Sequence, residues 1–449
     1  MHPSTASSPE ENPEHPQAVV RQGGTFESFR YRDFTWFWLG SVVSNTGSWM
    51  QNTALALVVF GFRRSSLDLG IVNFVSGIPV LFLALPAGVL ADRVDKRKLL
   101  IIGQAALLVQ AAALGILAYR GQLSALHPVQ GLVWVSALGL LGGVMSALTF
   151  PAWQALLPDL VPRAGLMNAI ALNSAQFQSS RLLGPLVTSV FVLAGAAMGH
   201  VFMVNSASFL FVIAALWAIR PRADPDPGGG RAQAILSGPE SAWSRLTAGV
   251  RYAREDRTVG ALIVSTAFMT VFAMPYMMLL PAVVHGALGS TGHVADVQVS
   301  WLMSASGLGA FVGALVVASM PTTVRRERLI PFSIVAMAVV LVAFSFSRTF
   351  WLTLPLSALA GAAFLTTNSL TNTSIQAAVP GRLRGRVMGV YVMAFLGIMP
   401  VSAALFGPLG QAIGAASTIA PVRTALAGWG VFLIASRSLT RRLADRQPR

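Results

Sequence analysis

The sequence contains no cysteine, only two lysines (Lys96 and Lys98), and seventeen acidic residues that all fall outside the centres of its long apolar blocks. Without cysteine there is no disulfide, no cysteine-ligated zinc and no thiol nucleophile. Charged residues make up 11% of the chain, against about a quarter in soluble domains, so a soluble fold would be short of polar surface. Gly228-Gly229-Gly230 lacks the following Lys-Ser/Thr and the flanking strand of a phosphate-binding loop. No Ser-His-Asp arrangement and no metal-ligand cluster stands out, so neither enzyme, cofactor nor metal is expected. The short alternating segments of a transmembrane β-barrel are missing. Residues 1–29 are polar and proline-rich with no apolar core, so no cleavable signal peptide is expected there.

What is present is apolar sequence in long blocks, 54% of the chain being hydrophobic. Blocks such as 99–119 and 329–346 match the roughly 30 Å hydrocarbon core at about 1.5 Å per helical residue. Helices satisfy their own backbone in lipid, so an all-α membrane protein follows. Twelve spans are read, near 34–60, 69–91, 98–119, 129–157, 166–195, 200–219, 259–286, 298–320, 329–347, 350–379, 384–414 and 418–436. With both termini cytoplasmic, the inner segments hold 26 of the 32 basic residues; Arg63, Arg64, Arg120, Arg348 and Arg423 fall outside and Arg181 lies within a span. That imbalance fixes the expected orientation. The net charge of +15 is read as this asymmetry, with no nucleic-acid partner. The arginine excess over lysine is read as high-GC coding in a bacterium, which places the chain in the bacterial inner membrane.

The expected organisation is a disordered cytoplasmic tail (1–29), a six-helix bundle (30–219), a cytoplasmic linker (220–257), a second six-helix bundle (258–437) and a basic cytoplasmic tail (438–449). In the linker, Trp243, Leu246, Val250 and Ala253 recur at helical spacing opposite Arg245, Arg251 and Arg254. Two readings stand for it, a helix on the inner membrane surface or a solvated helix. The halves also repeat each other. Gln154 to Pro158 and Gln376 to Pro380 share a Gln-Ala-x-x-Pro ending, followed by Gly184-Pro185-Leu186 and Gly407-Pro408-Leu409. Ser76-Gly77 matches Ser306-Gly307, each Ser lying 22 residues ahead of a basic residue and Leu. Parallel six-span repeats are a transporter architecture with substrate held between the halves.

The stretch from Gly88 to Lys98 (Gly-Val-Leu-Ala-Asp-Arg-Val-Asp-Lys-Arg-Lys) resembles the signature loop of the major facilitator superfamily. Asp95 stands where the family has a second Gly, so a different turn is expected. Asn45 to Gln51, Asn168-Ala169, Leu172 to Ser174, Arg181 to Pro185 and Arg384 to Met388 extend the likeness. Together they resemble the branch of the enterobactin exporter and the macrolide-efflux proteins, over about Phe34 to Leu409. The resemblance implies alternating access, efflux from the cytoplasm and coupling to proton entry. It also implies that Gly88, Asp92, Arg93, Lys96 and Arg97 brace the closed inner gate, Asp92 as latch. Arg384, Gly385 and Arg386 begin the eleventh span on the same side as inner-gate partners, because a carboxylate at a helix end meets basic groups or a helix N-terminus. Anchoring of the basic residues to lipid headgroups is the other reading.

Arg181 is the one charge well inside a span, and buried charges in lipid are functional or paired. It either faces a cavity and binds an anionic substrate group or donates to neighbouring carbonyls and amides. The remaining cavity candidates are Asn45, Gln51, Asn73, Gln154, Asn173, Gln176, Tyr276, Asn368 and Asn372, with interhelical hydrogen bonding as their alternative use. Met50, Met277, Met278 and Met393 suit an adaptable apolar wall or plain packing. Gly309/Gly313 and Gly385/Gly389 read as close helix contacts. No carboxylate lies mid-membrane, so Asp33, Asp68 and Asp296 near span ends are the proton-coupling candidates. The expected protein is a monomeric, gradient-driven exporter of a small amphipathic molecule such as a drug, antibiotic or siderophore. Its rivals are a nutrient uptake carrier and a non-transporting sensor.

Overall fold

The computed structural model describes residues 24, 26–219, 242–321 and 326–413. The expected twelfth span (418–436), the tail 438–449 and the linker segment 220–241 lie outside the described residues. Within them the chain is helical throughout. One bundle comprises α1 (Arg32–Arg63), α2 (Ser66–Arg93), α3 (Lys96–Tyr119), α4 (Pro128–Leu160), α5 (Leu166–Leu193) and α6 (Met198–Ala218). The linker helix α7 (Ala242–Glu255) leads into α8 (Arg257–Ala273), α9 (Pro275–Met278) and α10 (Leu280–Gly286). Then come α11 (Gly292–Ser319), α12 (Arg326–Phe346), α13 (Phe350–Ala378), α14 (Gly381–Val392) and α15 (Met399–Ile413).

Nine spans among the described residues are long and apolar enough to cross a membrane. Helices α1 and α5 are long enough but too polar to be among them. That polarity comes from the amides, hydroxyls and Arg181 that make them candidate cavity helices.

Two expected single spans are interrupted. The segment 259–286 breaks into α8, α9 and α10 at Met274 and Leu279. Each break precedes a proline, Pro275 or Pro281, at the start of the next piece, where a residue without N–H and with fixed φ begins a helix well. The segment 384–414 carries a π turn, Met393–Gly397, between α14 and α15. Residues 1–23 and 25 of the expected tail lie outside the described residues, and the end of that stretch is ordered. Glu27–Arg30 form a 3-10 turn in which the Ser28 N–H donates to Asn168 Oδ1 (3.1 Å) and its hydroxyl to the Gly165 carbonyl (3.2 Å). Phe29 packs at a tilt against Phe34 and edge-to-face against Trp38, which gives this turn an apolar anchor.

The bundles meet along two seams, α5 against α11 and α2 against α15. The contacts are close. A methyl group on Gly307 would lie 2.8 Å from the Arg181 carbonyl oxygen, and one on Gly70 would lie 2.6 Å from the Gly407 Cα. One on Gly77 would lie 2.7 Å from Pro400 Cγ. The matched residues Gly77 and Gly307 therefore sit at the two seams. Within the bundles, methyl groups on Gly143 or Gly361 would overlap the carbonyl oxygens of Ser76 and Ser306. The α2–α4 contact is thus repeated as α11–α13. Gly309 abuts Ala358 as expected, whereas among the described residues nothing lies close beside Gly385 and Gly389.

An apolar cluster of Leu57, Leu280, Val283, Val284, Val299 and Leu302 joins the bundles at the arginine-poor end. There the Phe60 and His285 rings lie 5.0 Å apart and the Ser66 N–H donates to Gln411 Oε1 (3.2 Å).

Candidate functional site

At the arginine-rich end, Asp95 explains why this loop needs no second glycine. Its backbone sits at φ −60°, ψ 110°, open to any residue, and its carboxylate caps α3 by accepting the Lys98 N–H (3.1 Å). Lys96 donates to the Ala155 carbonyl (3.1 Å) and Asp159 (2.9 Å) at the end of α4. Arg97 donates to the Trp217 carbonyl (2.7 Å) at the end of α6. Both cations therefore sit where helix C-termini concentrate negative potential. These bonds fasten α3 to α4 and α6 inside one bundle.

Gly88 has open space around it. The side chains of Asp92 and Arg93 lie outside the described part of the structure. Arg384 and Gly385 are exposed, and Arg386 is half-buried where its carbonyl approaches Gly249 of α7. Helix α7 therefore packs on the start of α14, with Tyr252 and Ala253 against the core of the second bundle. On the apolar face of α7, Leu246, Val250 and Ala253 are half-buried.

Arg181 lies at the α5–α11 seam, 7% exposed. Its guanidinium carbon is 5.5 Å from the centre of the Trp49 ring. Its Nη2 donates to the Met277 thioether at 3.0 Å, across the seam, and its Nε is buried without a partner. Met277 and Tyr276 belong to α9, the short piece between the two helix breaks. The Tyr276 hydroxyl is 2.6 Å from Ser306 Oγ on α11. One bundle thus supplies Trp49 and Arg181, the other Tyr276, Met277 and Ser306. The sequence singled out Arg181 and Tyr276 as site residues. Trp49 and Ser306 were visible only as members of a motif and a repeat, and Met277 only as wall material.

The other candidates scatter. Gln51 donates to Gln110 Oε1 (3.1 Å) and accepts from Asn205 Nδ2 (2.9 Å), inside the first bundle. Gln176 donates to the Ser41 carbonyl (3.1 Å), tying α5 to α1. Asn73 is exposed and bonds its own helix at the Leu69 carbonyl (2.8 Å). Asn45 is half-buried one helical turn before Trp49, Asn173 is half-buried on α5, and Gln154 is exposed near the end of α4.

Asn368 accepts from the Tyr391 hydroxyl, and Asn372 from Gln376. Asn368 lines a narrow cleft with Ser265, Thr266, Thr270, Thr367 and Thr371, wholly in the second bundle. These two asparagines are not part of the Arg181 group.

Among the coupling candidates, Asp68 is fully buried. Its carboxylate accepts twice from Arg63 (2.6 and 3.0 Å), while its backbone N–H donates to the hydroxyl of Ser65, the residue that caps α2 (3.2 Å). Asp296 is half-buried at the arginine-poor end, with His285, His293 and Arg64 as electrostatic neighbours. Asp33 is half-buried in the first turn of α1, at the opposite end.

Two helical bundles, joined along glycine-rich seams with a broken helix and a buried cation between them, share the fold of membrane transporters of known structure. The chain belongs to the transmembrane secretion effector family, which it matches over residues 23–447. It is 23% identical to the multidrug efflux pump Tap of Mycolicibacterium fortuitum over 84% of this chain and 89% of that protein. It is also 23% identical to the enterobactin exporter EntS of Escherichia coli O1:K1 / APEC, over 88% of each. Among solved structures, the nucleoside transporter NupG superposes with a TM-score of 0.71 at 13% identity, over 90% of this chain and 98% of that one. A bacterial homologue of the human lysosomal transporter Spinster, inward-facing and unoccupied, gives 0.66 at 16% identity, over 93% and 99%.

Proposed function

We propose that this protein exports a small amphipathic molecule across the bacterial inner membrane by alternating access. The observation that carries the reading is the Arg181 group, which draws on both bundles at the seam where rocking would expose it to either side. The names of the relatives Tap and EntS give the direction. In this reading the chain works as a monomer with twelve spans, both termini cytoplasmic and the arginine-rich end inward. The apolar cluster at the arginine-poor end is then the closed outer gate, and the fold is poised to load from the cytoplasm. Asp92 meets Arg384 or Arg386 when the inner side closes. Export draws on proton entry. Asp296 is the best-placed carboxylate for it, being half-buried beside the outer gate, whereas Asp68 is committed to Arg63.

The test is mass spectrometry of cells and medium from the native organism with and without the gene. Export predicts one compound accumulating inside the deletion strain and falling in the medium. Depletion of a nutrient from the medium only when the gene is present would replace export with uptake. Inverted membrane vesicles containing the protein should accumulate the compound when given a proton gradient and release it on collapse of that gradient.

A further inference from the structure

Arg181 is a permanent cation with no carboxylate partner among the described residues. Neither ion pair among the described residues involves it, and its electrostatic neighbour is the Tyr276 phenol. Its hydrogen-bond partner is a thioether, a weak acceptor, and its Nε–H has none. An aromatic face on one side does not replace the hydration a guanidinium loses on burial.

The geometry around the sulfur is informative. The Arg181 guanidinium and the Ser306 hydroxyl both direct donors at Met277 Sδ, at 3.0 and 3.9 Å. Tyr276 and Ser306 form one hydrogen bond between them, so the pair retains a hydroxyl proton beyond that bond. Donors from opposite bundles therefore converge on a poor acceptor.

We propose that this convergence is the receptor for a planar oxyanion on the cargo, so that the transported class is amphipathic organic acids. The oxyanion takes the place of the thioether as acceptor for Arg181, with the Ser306 hydroxyl as second donor. The apolar body of the cargo rests against the Trp49 ring and the displaced Met277 side chain, which is flexible enough to adapt. A guanidinium offers two parallel N–H donors to a carboxylate, which fits a planar acid better than a tetrahedral or neutral group. The inference rests on the export reading for its cargo but not for its binding chemistry, and the two are tested apart.

The binding test uses the full chain in lipid nanodiscs with radiolabelled naphthylacetate and its uncharged amide, naphthylacetamide. The wild type should bind the acid at least about tenfold more tightly than the amide, the discrimination a charge-assisted hydrogen bond supplies. Arg181→Gln should abolish the preference while still binding the amide, which shows that the fold survives. Arg181→Lys should keep part of it. No preference in the wild type, or a preference that survives Arg181→Gln, overturns the proposal. Transport is measured separately in inverted vesicles with the acid, the amide and ethidium. Accumulation of the amide or ethidium without any acid preference in binding would overturn the oxyanion site alone. Acid preference lost in Arg181→Gln, with none of the three accumulated, would uphold the site and remove the export reading.

Discussion

Gln51 is the position where a cavity role and a structural role make opposite forecasts. Its side chain links two other spans at once, donating to Gln110 of α3 and accepting from Asn205 of α6. Asn205 is fully buried, Gln110 is 3% exposed, and Asn205 Oδ1 also accepts from Ser208 (3.1 Å). Gln51→Leu keeps the volume, removes both bonds and leaves the Asn205 amide N–H and the Gln110 oxygen without partners. Interhelical hydrogen bonds in membranes average about 0.6 kcal/mol and reach about 1.7, so two of them suggest a loss of roughly 1–3 kcal/mol. Gln110→Leu breaks one bond and should cost about half as much. The double variant should fall short of the sum by about 0.6–1.7 kcal/mol, the coupling of the shared bond. Equilibrium unfolding in mild detergent, with KM for the exported compound measured in vesicles, checks both sides. The structural role predicts lower stability and an unchanged KM. Unaltered stability with a several-fold rise in KM would refute it and return Gln51 to the cavity.

Other outcomes follow from neighbouring geometry. Gly361→Leu drives a side chain into the Ser306 carbonyl. It should cost about 1–3 kcal/mol by overpacking, read as a lower unfolding midpoint; equal stability would mean the α11–α13 contact is looser than described. Lys96→Met removes an ion pair whose side chains are 33% and 55% exposed. It should change stability by less than about 1 kcal/mol, and still less in high salt. Asp68→Ala deletes a buried carboxylate that accepts twice from Arg63. A loss of about 1–3 kcal/mol is expected, with proton-driven transport otherwise retained; uncoupled transport in a stable variant would make Asp68 the proton site. Asp92→Asn should insert normally and lose most transport, measured by vesicle uptake; full activity would remove the latch.

Much of the framework was legible because bilayer thickness imposes a length on apolar runs and glycine marks close approach. The match of Ser76-Gly77 with Ser306-Gly307 led to two equivalent seam positions. The other match did not. Gly184 abuts Trp49 and Met50 in its own bundle, while Gly407 abuts Gly70 across a seam. The breaks at Met274 and Leu279 had a visible signal in Pro275 and Pro281, but prolines also sit inside α2, α4 and α5 without breaking them. The π turn at Met393–Gly397 has no comparable marker. Least legible was the direction of polar side chains. A span apolar on most faces gives no periodicity to tell bundle interior from seam, so Gln51, Gln176 and Asn368 read like Tyr276 until their partners were seen. Arg181 was legible because charge within a span is rare, yet its lack of a carboxylate partner is a property of the folded neighbourhood.

At three points the seams bring main chain or a rigid ring against main chain: Gly70 on Gly407, Gly77 on Pro400, and Gly307 on the peptide between Arg181 and Leu182. Such surfaces have no interlocked rotamers to be withdrawn and reset when one body moves past the other. They behave as a smooth bearing, with little friction and little memory of position. In the alternating-access reading proposed above, resistance to rocking resides in the groups that do grip across the bearing, among them the Arg181–Met277 contact, the Ser66–Gln411 hydrogen bond and the apolar plug at one end. A solute that replaces Met277 as partner for Arg181 would release one of those grips, so occupancy itself would set the bearing free to turn.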